Sequence, residues 1–423
     1  MQSRDRALHY HEEHRGKIQV LSKVPVRSQE DLALAYTPGV AEPCREIEAN
    51  PSLVNRYTNR ANTVAIVTDG TAVLGLGDIG PMAGLPVMEG KSVLFKMFGG
   101  VDAFPICLDT KDPDKIVETV RLLQPSFGGI NLEDVSAPRA FMIEEKLRET
   151  LSIPIFNDDQ HGTAVVVGAA LTNALRFAGK SIAQVRIVFN GAGAAAIATA
   201  RHLLAMGALD ISLVDRQGLI YEGRAGDSNP YKEAIARLTN REARRGGLDQ
   251  ALKGADVFIG VSVAGALSME MMKDMNRDAI VFALANPVPE IWPVLAMEAG
   301  AKVVGTGRSD FPNQINNVLG FPGIFRGALD VGAREINESM RLAASAALSR
   351  LIADKDLRDD YIIPQPMDRR VAPVVAAAVA EAARESGVAT VDVSPEWVAD
   401  HCRRLVNEVL RIEDKILEGE DGV

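Results

Sequence analysis

Over the first 160 positions, short apolar runs alternate with stretches whose apolar residues recur at three-and-four spacing. The runs at 62–70 (NTVAIVTDG), 91–99 (KSVLFKMFG), 102–109 (DAFPICLD), 127–134 (FGGINLED) and 153–159 (IPIFNDD) read as strands. Between them, DPDKIVETVRLLQPSF and APRAFMIEEKLRETL carry the spacing of amphipathic helices. This alternation predicts an α/β domain over 1–160 with a largely parallel sheet. Several carboxylates then follow strands directly, where open parallel sheets hold their ligands. From 161 to 320 the texture shifts to Ala- and Gly-rich helices between very apolar strands: QVRIVFNGAG, DISLVD, DVFIGVS, AIVFALAN and KVVGTG. Runs apolar on both faces fit the interior of a doubly wound, Rossmann-type sheet. Residues 321–423 offer no strand, and this helical C-terminal segment is expected to cover the first domain or a neighbouring subunit.

Composition narrows the class. A chain of 423 residues suffices for two or three domains. With 47% hydrophobic and 24% charged residues, and with 36 Gly and 21 Pro dispersed, long disordered or fibrous stretches are not expected. The 46 basic and 56 acidic residues leave a net charge of −10 without a basic patch, which argues against a nucleic-acid partner. Cys44, Cys107 and Cys402 stand far apart, in neither a disulfide framework nor a zinc spacing. Charge-free stretches fall short of the roughly 20 apolar residues of a membrane span, and the mixed-charge N-terminus lacks a secretory apolar core. A cytoplasmic protein without a membrane partner is the expectation.

Two glycine patterns differ in their settings. Gly191, Gly193 and Ala196 form G-x-G-x-x-A between an apolar strand and an Ala-rich helix, and Asp215 ends the next strand. Gly191 makes the tight turn, Gly193 admits a pyrophosphate and Ala196 permits close helix packing, while the helix N-terminus offers free N–H groups. The loop formed by Gly191, Ala192, Gly193, Ala194, Ala195 and Ala196 is therefore the candidate dinucleotide site. Asp215 would bind both ribose hydroxyls of NAD, whereas Arg216 beside it could grip the 2′-phosphate of NADP, so both cofactors stay open. The second pattern, Gly75, Gly77 and Gly80, carries Asp78 in the loop and precedes PMAGLPVMEGK, a poor helix. It reads as a turn that shapes a substrate pocket.

Glu133 and Asp134 follow one predicted strand, and Asp158 and Asp159 follow the next. Carboxylates so gathered repel unless a divalent cation lies between them, and oxygen-only ligands favour Mg²⁺ or Mn²⁺. The alternative is solvated acids capping helices. His161, next in line, reads as structural rather than as a ligand. Lys91, at the start of a predicted strand, becomes a base if burial beside a cation lowers its pKa. Tyr36 precedes a Thr-Pro-Gly turn that either presents a phenol at a cleft or leaves it half-buried in a core. Asn286, Asn316 and Asn317 follow strands or loops of the second domain, where amides can bind a carboxylate or nicotinamide.

Taken together, YTPGVAEPC, VTDGTAVLGLGDIG, EGKSVLFK, INLEDVSAPRAF, PIFNDDQHGTA, NGAGAAA, FALANPVPEI and NNVLGFPGIFRGAL resemble the malic enzymes, in their short bacterial form, over nearly the whole chain. The resemblance implies that Tyr36 is the general acid and Lys91 the general base, with Asp158 tuning Lys91. It makes Glu133, Asp134 and Asp159 the ligands of Mg²⁺ or Mn²⁺, and Asn286 and Asn317 the amides that hold substrate. The implied reaction is the oxidation of (S)-malate by NAD or NADP with loss of CO₂, giving pyruvate, and oxaloacetate decarboxylation is expected too. A homodimer is also expected. One departure concerns Ala72, where larger eukaryotic members carry an arginine for a malate carboxylate. The sequence ends at 423, so regulation through the phosphate acetyltransferase-like extension of longer bacterial forms is not expected. A malolactic enzyme, another two-domain dehydrogenase and a non-catalytic nucleotide-binding regulator are the alternatives.

Overall fold

The computed structural model describes residues 3–73, 75–226 and 229–420. Two sheets form its centre. The first is wholly parallel and four-stranded, in the order β2-β1-β3-β4, with β1 Thr63–Thr68, β2 Asp102–Cys107, β3 Gly129–Leu132 and β4 Ile155–Asn157. The second, in the order β10-β9-β8-β5-β6-β7, comprises β5 Arg186–Asn190, β6 Asp210–Asp215, β7 Gly218–Leu219, β8 Val257–Gly260, β9 Ala279–Ala283 and β10 Ala301–Thr306. Only the two-residue β7 runs antiparallel, against β6. Winding reverses where β8 sits on the far side of β5 from β6, and ligands of doubly wound sheets bind at such a switch point.

The segment 91–99, expected as a strand, is instead the second half of the Pro81–Gly99 helix. Its buried positions, Gly84, Met88, Lys91, Ser92, Phe95 and Gly99, recur every three or four residues, so the stripe is helical. The apolar run LFKMF, broken only by Lys96, hides that period when read alone. The same helix overturns the reading of PMAGLPVMEGK as a poor helix: Pro81 occupies its first turn, and left-handed Gly100 closes it. Lys91 consequently projects from mid-helix rather than from a strand end.

The C-terminal helices return to the first sheet's layer. Phe321–Asp330 and Pro395–Glu420 both contact the Pro81–Gly99 helix, and Val371–Glu385 packs between them. Gly323 and Gly327 let backbones meet: an added Cβ would lie 2.8 Å from the Ala372 carbonyl oxygen and 2.4 Å from that of Ala376. One apolar cluster runs from Val64, Ile66, Phe95 and Phe156 through Ile187 and Phe189 to Phe321, Phe325 and Val375, joining both sheets and the terminal helices. No helix among the described residues is long and apolar enough to cross a membrane.

Charge is buried in this junction. Arg326 pairs with Asp330 and Asn62, and His401 from the last helix meets the same Asp330 carboxylate at 3.0 Å. Asp330→Ala strands the buried Arg326 guanidinium, so it should destabilise the protein by about 3–5 kcal/mol in urea unfolding. Asp330→Asn should cost less, because its amide oxygen still accepts from Arg326.

Candidate active site

Strand register builds the site. Leu132 of β3 lies opposite Asn157 of β4, so the next residues, Glu133 with Asp158 and Asp134 with Asp159, leave adjacent strand ends roughly 5 Å apart. The Asp134 backbone N–H donates to Asp159 at 2.8 Å, and the Glu133 N–H donates to Val67 of β1 at 3.0 Å. Asp134 adopts φ +54°, a left-handed conformation uncommon for a residue with a side chain. After β4 the chain makes a π-helical turn, Asp158–Gly162, that leads into the Thr163–Ala178 helix. A Cβ on Gly162 would fall 1.7 Å from an Asp158 oxygen, so only glycine fits there.

Lys91, 7% exposed, reaches this edge from the Pro81–Gly99 helix. Its ammonium donates to Glu133 at 2.9 Å and to Asp158, and rests 4.1 Å from the centre of the Phe321 ring. Burial alone would pull its pKa down, but the Asp158 and Glu133 carboxylates overcome that and hold it above the ordinary lysine value. The sequence led us to expect a lowered pKa, whereas the two carboxylates raise it.

The carboxylates bear the complementary cost. Burial, then Glu133, pushes Asp134 up to about 7, and burial raises Asp158 to about 7 against the pull of Lys91. Asp159 is raised well above the usual range by burial, then by Glu133 and Asp134. Glu133, Asp134 and Asp159 each offer an oxygen within 4.8 Å of the others, and Asp134 Oδ2 is buried without a hydrogen-bond partner. Three converging hard oxygens, one unpartnered, fit a divalent Mg²⁺ or Mn²⁺ ion. His161 turns away and contacts Glu144 at 2.7 Å through Nε2.

The amides divide. Half-buried Asn317 lies beside Asp158 and helps keep it ionised. Asn286 follows β9 in the second domain, and a Cβ on Gly75 (φ +68°) would come 3.1 Å from its carbonyl oxygen. The loop of the second glycine pattern therefore abuts the other domain. Asn316 caps a short turn by accepting from the Val318 N–H. Tyr36 is not brought to this cluster: it ends the Gln29–Ala35 helix, is 68% exposed, and its hydroxyl has no hydrogen-bond partner among the described residues.

Gly191 follows β5 at φ +126°, where a Cβ would strike the Val261 carbonyl at 2.8 Å, whereas a Cβ on Gly193 would meet nothing within 4 Å. Gly193 is the N-cap of the Ala194–Ala205 helix, into which Ala194, Ala195 and buried Ala196 fold, with Ala192 in the turn before it. The open space over Gly193 and the helix N-terminus suit a pyrophosphate. Asp215, expected to offer free oxygens to ribose, is already engaged: Arg224 grips both oxygens at 2.8 and 2.7 Å, Lys232 adds 2.8 Å and the Gln217 N–H 2.9 Å. Burial opposes its charge, but Arg224 and Lys232 hold the carboxyl well below the usual range. Arg216 beside it is exposed.

Sequence reading missed several supports. Glu144 is buried on the Arg139–Thr150 helix, where its three-residue spacing from buried Phe141 marked it as inward-facing. Glu290 is fully buried and accepts from the Ser262 and Ala285 N–H groups, tying down the loops around Asn286. Asp69, Thr71 and Ser136 gather round Arg139 beside Ala72, whose N–H donates to the Asp134 carbonyl. Glu290 shows in the sequence only as a charge within a loop, and Arg139 only as a charge at a helix start.

Residues 15–148 match the malic enzyme N-terminal domain, and residues 160–384 match the malic enzyme NAD-binding domain. The chain is similar to the bifunctional malic/malolactic enzyme of Bacillus subtilis, at 58% identity over 96% of this chain and 99% of that one. It is 55% identical to the NAD-dependent malic enzyme of Geobacillus stearothermophilus, over 90% and 79% of the respective chains. Its fold resembles the crystal structure of malic enzyme from Pyrococcus horikoshii, with TM-score 0.93, 46% identity and 98% of each chain covered.

The raised Asp134 pKa predicts a stability trade. Its contribution is fully present below the unfolded value of 3.8 and is lost as pH rises through about 7. In EDTA at pH 8, Asp134→Asn should raise unfolding stability, with an upper bound of about 4 kcal/mol, since one pKa unit corresponds to about 1.4 kcal/mol. The gain should vanish near pH 4, as paired urea titrations will register.

Proposed function

The chain belongs to the malic enzyme family, and we propose that it oxidises (S)-malate at C2 with NAD(P)⁺ and releases the C4 carboxylate as CO₂, leaving pyruvate. The observation that carries this reading is the buried Lys91 ammonium between Glu133 and Asp158, beside three carboxylates with an unpartnered oxygen. Mg²⁺ or Mn²⁺ held by Glu133, Asp134 and Asp159 would supply positive charge beside the C2 oxygen and relieve the negative field that now keeps Lys91 protonated. NAD(P)⁺ over the Gly193 turn would supply the hydride acceptor.

Lys91, once neutral, takes the proton of the C2 hydroxyl as the hydride leaves C2. Asp158 orients its amine, and Phe321 keeps water from one side of it. The resulting β-keto acid loses CO₂ because the electrons left at C3 delocalise onto the C2 oxygen, to which the reprotonated Lys91 donates a hydrogen bond. Tyr36 then gives a proton to C3. That role requires its exposed segment to be covered, and Leu32, Leu34 and Val40 are exposed alongside it. We read this face as the contact of a homodimer. Asn286 and Asn317 hold the substrate carboxylates, a task that falls more heavily on them with Ala72 in place of an arginine.

The geometry around Asp215 favours NADP. A carboxylate has about four acceptor positions, and Arg224, Lys232 and the Gln217 N–H occupy them, leaving none for a ribose diol. Those two cations with exposed Arg216 suit a 2′-phosphate. A malolactic outcome, returning the hydride to pyruvate to form lactate, is the second reading, favoured by the Bacillus relative's name.

Lys91→Ala should lower malate turnover about 10²–10⁴-fold. Wild-type turnover in that variant would remove Lys91 as the base. Malate with Mn²⁺ should accumulate reduced nicotinamide and pyruvate, and EDTA should stop both; lactate without net reduced cofactor would instead establish the malolactic outcome. Lys232→Gln should weaken NADP⁺ about 10-fold, the loss of one charge-assisted bond, and NAD⁺ much less, read by equilibrium binding.

A further inference from the structure

We propose that Glu144 is a positioning residue that fixes the acid-bearing turn after β4 and thereby sets metal affinity. This rests on the reading of Glu133, Asp134 and Asp159 as the metal ligands. The turn Asp158–Gly162 has two tasks in consecutive residues, since Asp158 faces Lys91 and Asp159 faces Glu133 and Asp134. Like-charged acids this close repel one another, and that repulsion would act to push the turn away from β3. Something outside the cluster has to resist it.

Glu144 supplies the restraint. It is 5% exposed and accepts from both residues that follow Asp159: Gln160 Nε2 at 3.1 Å and His161 Nε2 at 2.7 Å. The Gln160 backbone N–H is pinned in turn to the Asn157 side chain at 3.2 Å. Arg148, one turn along the same helix, donates to Glu144 at 2.6 Å, and Arg341 of the Glu338–Arg350 helix adds its field. Glu144 thus carries its charge on its own cations, apart from the catalytic acids, and can stay ionised without drawing on Lys91. Burial opposes that charge, yet His161 and Arg148 hold its carboxyl below the ordinary value.

The route is short. The Arg139–Thr150 helix begins five residues after Asp134, and its Glu144 grips the turn that carries Asp159. One helix therefore ties the two strand ends that contribute the ligands. Supporting partners of this kind typically change metal affinity 10- to 100-fold when removed.

The test is Mn²⁺ binding to the full-length protein by isothermal titration calorimetry. Glu144→Gln should weaken Mn²⁺ about 10- to 100-fold, with NADP⁺ affinity unchanged and kcat largely recovered at saturating Mn²⁺. Glu144→Asp, which keeps the charge but shortens the reach, should recover only part of the affinity. If Glu144→Gln does not fold, Gln160→Met leaves the Glu144–Arg148 pair intact and should weaken Mn²⁺ in the same direction. Wild-type Mn²⁺ affinity in the folded variant, or a loss confined to melting temperature, overturns the proposal. A wild-type protein that binds no Mn²⁺ overturns the metal reading itself, and the positioning role falls with it.

Discussion

Mutual repulsion among four clustered carboxylates, three buried and one half-buried, is the constraint around which this molecule is arranged. Glu133, Asp134, Asp158 and Asp159 share one sheet edge with a single ammonium, Lys91, and the raised pKa values of Asp134, Asp158 and Asp159 measure the imbalance. A protein selected for stability alone would place apolar side chains there. Retaining the acids leaves a place whose electrostatics improve when a doubly charged cation arrives.

The rest of the fold supplies stiffness. Parallel pairing of β1, β3 and β4 fixes the strand ends in register, and one apolar core runs beneath both sheets into the C-terminal helices. Phe321 belongs to that core and also contacts Lys91, so the helix after the second sheet helps define the surroundings of the buried amine. Close backbone approach at Gly323 and Gly327 holds this helix against its neighbour, and the buried Arg326–Asp330 pair with half-buried His401 fastens the last helix to it.

Much of this was legible in the sequence because it depends on order along the chain. Strand and helix alternation, the G-x-G-x-x-A turn and the acids after β3 and β4 are local patterns, and sheet topology carries them into place. The segment at 91–99 was misread because an apolar run has no visible period until the positions before it are included, and Met88, Lys91 and Phe95 then describe a helix. The protonation of Lys91 and the engagement of Asp215 escaped for another reason. Both depend on partners 9 to 67 residues away, and no pattern near either residue announces them. Tyr36 was singled out by its turn, but a turn does not say whether the side chain is buried, and this one is exposed.

At Gly75 a side chain would press on the other domain, since its first carbon would stand 3.1 Å from the Asn286 carbonyl oxygen. The bare backbone is what lets the glycine loop of the first domain lie against the turn after β9, and any larger residue at this place would wedge the two apart.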